Sequence, residues 1–188
     1  MSKKAIVLLA EGFEEVEALT PIDYLRRAGV EVTAAAIGDS LTVKGRWTGL
    51  KVTADAPLAE IAKGGSGWDA VILPGGMPGA SNLAASKETG ALLKDMAACG
   101  KLICAICASP ALVLSPLGLL AGKKFTCYPG MEEKVKDGKW QEDRVVIDGN
   151  IITSRGAGTA GEFAIAIIEK LIDKAAAQKI ADAVLLKV

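Results

Sequence analysis

Two cysteines, Cys104 and Cys107 in "KLICAICASP", have the C-x-x-C spacing of zinc ribbons and dithiol oxidoreductases. The local sequence argues against a working pair. "KLICAIC" is an apolar run that reads as a strand, and strand residues three apart face opposite sides, about 10 Å apart. A disulfide needs Cα atoms within about 7 Å. Cys104 therefore reads as a small core hydrophobe. Cys107 falls where the strand stops and "ASPALVL" begins a helix. A sharp turn there would lift its side chain above the sheet, and a helix N-terminus favours the thiolate, the nucleophilic form. The competing reading is a second buried cysteine.

The chain contains four cysteines (Cys99, Cys104, Cys107, Cys127) and no histidine. Ser-His-Asp and Cys-His catalysis are excluded, as is every histidine-containing metal site. A Cys₄ zinc site would need all four thiols, three of them within residues 99–107, so no metal is expected. A partner for Cys107 must come from elsewhere. "AEGFEEVEAL" carries Glu11, Glu14, Glu15 and Glu17. Most of these read as solvated acids in a helix first turn. Glu17 differs because Val16, Ala18 and Leu19 surround it. Buried, its carboxyl would have a raised pKa and could donate a hydrogen bond to sulfur. In "LPGGMPGASN", Gly75 and Gly76 would let backbone N–H groups face the site as an oxyanion hole, although a plain turn needs glycine too.

These residues need a scaffold. Strand-like runs "KAIVLLA", "VEVTAAAIG", "WDAVILPGG" and "KLICAIC" alternate with helical ones such as "EEVEALTPIDYLRRAG" and residues 85–99. "PLAEIAK" reads as a short helix, residues 41–53 as a hairpin or meander, and "SPALVLSPLGLLAG" as a helix. "KFTCY" and the hairpin "RVVIDGNIITSRG" supply the last strands before two closing helices. This alternation predicts an α/β fold with a mainly parallel, doubly wound sheet, as one domain over residues 1–188. Ligands bind such folds beyond the carboxyl ends of the strands, here residues 10–17, 74–80, 107–111, 126–130 and 154–161. "RGAGTAGEF" is formally G-x-G-x-x-G, but no acid-tipped second strand follows it. A nucleotide cofactor is not expected.

Lys+Arg and Asp+Glu both count 22, which gives no sign of nucleic-acid binding. No apolar stretch approaches a membrane span. A cytoplasmic protein is expected.

The segments "AEGFEEVEALTPIDYLRRAGVEVTAA", "DAVILPGGMPGASNL", "ICAICASPALV" and "IITSRGAGTAGEFAIAIIE" together resemble the ThiJ/PfpI (DJ-one) superfamily from end to end. Closest is its branch of Parkinson-associated and bacterial stress proteins. The resemblance implies a flavodoxin-like sandwich and a homodimer with the first helix at the interface. Glu15, Arg26 and Arg27 look like the dimer-facing charges. It implies Cys107 as an oxidation-sensitive nucleophile and Glu17 as its protonated partner. Gly75, Gly76 and Ala108 would be backbone donors around the sulfur, with Tyr128 and Arg155 as candidate pocket residues. Tyr128 stands where many relatives have histidine. Ala108 replaces the histidine of the peptidase members, so peptidase activity is not expected.

The leading function implied is a glutathione-independent glyoxalase or protein deglycase acting on 2-oxoaldehydes or their early glycation adducts. The alternative is a redox sensor or chaperone working through a Cys107 sulfinate.

Overall fold

The computed structural model describes residues 2–62 and 67–187. Its centre is a seven-stranded sheet, read across as β10 (Val145–Asp148), β11 (Ile151–Ser154), β7 (Leu102–Ile106), β6 (Ala70–Leu73), β1 (Lys4–Leu9), β2 (Glu31–Ala36) and β5 (Ala56–Pro57). All neighbours pair parallel except the edge strand β10, which forms the expected hairpin with β11. This is the doubly wound α/β arrangement the sequence implied.

Strand periodicity divides the core into two layers. Ala5, Val7 and Leu9 of β1 pack on one face with Leu102, Cys104 and Ile106 of β7. That face is covered by α1 (Glu15–Arg27), α5 (Ala160–Leu171) and α6 (Lys174–Ala183). Ile6, Leu8, Ile103 and Ala105 point the other way, toward α2 (Leu58–Ile61), α3 (Gly79–Ala85) and α4 (Lys87–Ala98). Each fully buried Leu or Ile contributes about 1.5–3 kcal/mol, which is why both strand faces are apolar.

The hairpin of β3 (Thr42–Lys44) and β4 (Lys51–Thr53) stands outside the main sheet. It is tied to the first β–α turn by an Arg46 N–H to Phe13 carbonyl bond of 2.9 Å.

Three local readings change. "KFTCY" supplies only β8 (Lys124–Phe125), paired with β9 (Lys139–Trp140) in a separate small sheet. The helix read after Cys107 is a π turn, Pro110–Leu114, followed by a 3₁₀ turn, Ser115–Leu117. Pro116 has no N–H to continue an α-helical ladder, which favours the irregular ending. The glycine- and proline-rich segment after β6 contains α3, which its composition disguises. The "PLAEIAK" helix is α2, and its Lys63 lies outside the described residues.

Candidate active site

Cys107 is the first residue after β7, and its φ of 64° is left-handed, a conformation a non-glycine residue adopts only under constraint. Such a residue costs of order 1–3 kcal/mol and persists where its surroundings over-determine it. Here they do. The Cys107 N–H donates to the Ser154 carbonyl at 2.9 Å, and its own carbonyl accepts from Tyr128 N–H at 2.9 Å. The buried Ser109 hydroxyl donates to the Pro74 carbonyl at 2.6 Å, fastening the elbow to the turn after β6. Cys107 is half-buried with its sulfur toward solvent-accessible space, whereas Cys104 is wholly buried in the sheet. The C-x-x-C thus separates into a core residue and a site residue.

Glu17 reaches the same point from the first turn of α1 and is 1% exposed. Its Oε2 accepts the Gly75 N–H at 2.8 Å, and it also hydrogen-bonds Cys107 and the Ala157 backbone. The α1 N-terminus is capped by Glu14, whose carboxylate accepts the Glu17 N–H at 2.7 Å. That cap orients the turn so that Glu17 points inward rather than to water.

Gly75 is required by space. A Cβ there would lie 2.7 Å from both Cys107 Cβ and Glu17 Oε2. Gly76 has φ 89°, and a side chain would meet the Glu14 backbone nitrogen at 2.5 Å. The backbone N–H groups of Gly76 and Ala108 both donate toward Cys107.

Burial, reinforced by the Glu14 charge, raises the Glu17 carboxyl to about 7. Burial and the Glu17 carboxylate together push the Cys107 thiol up, against the pull of the Gly76 and Ala108 donors. The expected help from a helix N-terminus is small, because the element after Cys107 is short and irregular. Acidity at this site is therefore a property of the pair. It sheds one proton near neutrality and holds the second strongly.

The cavity above the pair has a volume of about 490 Å³. Glu14, Glu17, Gly76, Cys107, Ala108 and Tyr128 line it, with Ala157 from the glycine segment that imitates a nucleotide motif. Arg155 is not in its wall and donates instead to the Glu142 carbonyl at 2.9 Å. Arg46, Trp47, Met77 and Met131 also line the cavity and were not singled out from the sequence. Nor do Glu15, Arg26 and Arg27 form one charge set. Glu15 accepts from Trp47 and Thr48, Arg26 pairs with Asp55 at 3.2 Å, and Arg27 pairs with Asp23 at 2.9 Å. Among the described residues, no group of three or more Cys, Asp or Glu could hold a metal ion, and no helix is long and apolar enough to cross a membrane.

Known proteins share this arrangement of chain. Protein DJ-1 homolog B of Arabidopsis thaliana is 48% identical over 165 residues, covering 88% of this chain and 37% of that protein. The chain thus spans well under half the length of that relative. The glutathione-independent glyoxalase DJR-1.2 of Caenorhabditis elegans is 38% identical over 172 residues, covering 90% of this chain and 89% of the relative. The structure of oxidized DJ-1 from Toxoplasma gondii superposes with a TM-score of 0.95 at 41% identity, covering 100% of both chains. The pattern of the DJ-1/PfpI family itself matches residues 3–170, from β1 into the last turn of α5. With sequence and backbone in agreement over nearly the whole length, the chain belongs to the DJ-1/PfpI family.

Proposed function

We propose that the protein is a cysteine-dependent, glutathione-independent glyoxalase that converts 2-oxoaldehydes to 2-hydroxy acids, with early glycation adducts of the same aldehydes as related substrates. The observation that carries this reading is the contact of Glu17 with Cys107 at a constrained elbow beneath an open cavity. The similarity to a glutathione-independent glyoxalase supports it.

The reactive form has one proton on the pair, kept by Glu17, with Cys107 as thiolate. Burial disfavours charge on the 1% exposed Glu17 carboxyl, and in this proposal the charge on the half-buried sulfur is met by the Gly76 and Ala108 donors. The thiolate attacks the aldehyde carbon, and the new alkoxide takes the Glu17 proton to give a hemithioacetal. Glu17 then removes the hydrogen on that carbon, forming an enediolate, and returns it to the neighbouring keto carbon. The hydroxyl proton on the first carbon passes to the second oxygen, which leaves a thioester. Glu17 deprotonates a water that attacks the thioester, and the thiolate departs. The net reaction adds one water, oxidises the aldehyde carbon, reduces the keto carbon and needs no external oxidant. A single carboxyl thus moves every proton except the one that passes between the two substrate oxygens.

The protein acts as a homodimer in this proposal. Val16, 48% exposed on α1, is an apolar surface residue suited to that interface.

Methylglyoxal supplied to the purified protein tests the reading through D- or L-lactate formation. Turnover by the native chain that is lost in Cys107→Ala is expected. Equal rates in the two would overturn it.

A further inference from the structure

The cavity is larger and more apolar than methylglyoxal requires. That aldehyde occupies roughly 100 Å³, three or four waters at about 30 Å³ each. The space above Cys107 is about 490 Å³ and is walled by Trp47, Met77, Tyr128 and Met131. A three-carbon aldehyde on the sulfur would leave most of that wall wet.

The aromatic walls are built, not incidental. Trp47 is 70% exposed, yet its backbone is anchored by a buried carboxylate. Glu15, 5% exposed, accepts from Trp47 N–H at 2.9 Å, Thr48 N–H at 2.8 Å and the Thr48 hydroxyl at 2.9 Å. These bonds hold the Glu15 carboxyl below the usual carboxylate range although burial opposes them. The Arg46 guanidinium lies 4.4 Å from the Trp47 ring centroid, a cation–π contact that steadies the ring. Tyr128, also in the wall, is bonded through its N–H to the Cys107 carbonyl itself. The backbone that carries the sulfur is therefore tied to the backbone that carries this wall residue. Rigid aromatic surfaces that face open space beside a nucleophile supply binding energy at little entropic cost.

Resting on the glyoxalase reading above, we infer that the preferred substrates are 2-oxoaldehydes with an aromatic or comparably bulky apolar group on the keto carbon. Trp47 and Tyr128 determine that specificity. The aldehyde carbon bonds to Cys107, and the apolar group fills the part of the cavity lined by Trp47 and Tyr128. With phenylglyoxal as probe, one water is consumed and mandelate forms.

Initial rates of mandelate and lactate formation, from phenylglyoxal and methylglyoxal, test the inference. Phenylglyoxal is expected to have a kcat/KM at least about tenfold higher, the discrimination one well-filled apolar contact gives. Trp47→Ala should cut that ratio at least about fivefold, chiefly by raising KM for phenylglyoxal, while Trp47→Phe should largely keep it. Methylglyoxal turned over as well as phenylglyoxal, or a ratio unmoved by Trp47→Ala, would overturn the inference and leave the glyoxalase reading standing. Turnover of neither aldehyde would overturn both.

Discussion

The Gly75 N–H donates to Glu17 Oε2 at 2.8 Å, and this bond links the turn after β6 to the first turn of α1, 58 residues away in sequence. It also explains why position 75 has no side chain. A Cβ there would stand 2.7 Å from the carboxylate and 2.7 Å from Cys107 Cβ, between the two side chains.

Gly75→Ala should therefore damage function more than folding. Overpacking of this size costs about 1–3 kcal/mol, so the variant should fold with a lowered Tm. Displacement of Glu17 from Cys107 should reduce turnover about 10²-fold. Calorimetry and a lactate assay on the same preparation check both. An alanine variant with native activity would mean that the pair is looser than its geometry.

Stability should fall with pH because Glu17 is buried. An unfolded glutamate titrates near 4.3, whereas burial raises Glu17 to about 7. With the folded value raised, the stabilisation is complete below about pH 4.3 and is lost as pH rises through about 7. The full loss is about 4 kcal/mol at 1.36 kcal/mol per unit. The slope does not depend on which member of the pair keeps the last proton. Urea unfolding at pH 5 and pH 8 should show the loss in the native chain and a much flatter response in Glu17→Gln.

Thiol labelling should separate the four cysteines by position. Cys99 is exposed and Cys107 half-buried, while Cys104 and Cys127 are wholly buried. Iodoacetamide followed by peptide mass analysis should modify Cys99 and Cys107 in the folded protein. Cys104 and Cys127 should react only after denaturation. A linked Cys104–Cys107 peptide after mild oxidation would refute the assignment of Cys104 to the core.

Glu15→Ala should release the wall of the cavity without touching Cys107. Three hydrogen bonds to the exposed Trp47–Thr48 segment would be lost, at about 0.5–1.5 kcal/mol each. Hydrogen exchange at residues 47 and 48 should accelerate while the amides of β1 and β7 stay protected.

Much of this was legible in the sequence for identifiable reasons. Runs such as "AIVLL" and "LICAI" are buried on both faces of a parallel sheet, so they carry no polar alternation to confuse them with surface strands. Cys107 was readable because strand periodicity ends where "SP" begins, whereas Glu17 stood out among the four acids only by its apolar neighbours Val16, Ala18 and Leu19, and its role came from the family resemblance. Arg46 and Trp47 were not readable. They belong to a hairpin outside the main sheet, and what brings it to the site is the Glu15 carboxylate together with backbone bonds to Gly12 and Phe13, long-range contacts with no local signature. The source of the site's acidity was misread for a similar reason. A helix N-terminus was expected at Cys107, but Pro116 and the π turn shorten that element, so the proton balance falls to Glu17 and the backbone donors.

The central claim is that Glu17 keeps the shared proton and Cys107 carries the charge. Site-resolved alkylation rates of Cys107 as a function of pH, in the native chain and in Glu17→Gln, test it most directly. The account predicts a reactivity step below the range of an ordinary thiol in the native chain, and a step at least about one pH unit higher in Glu17→Gln, where the carboxylic O–H donor is gone. An unchanged or lower step in the variant would contradict it, since that outcome requires an ionised Glu17 that repels the thiolate.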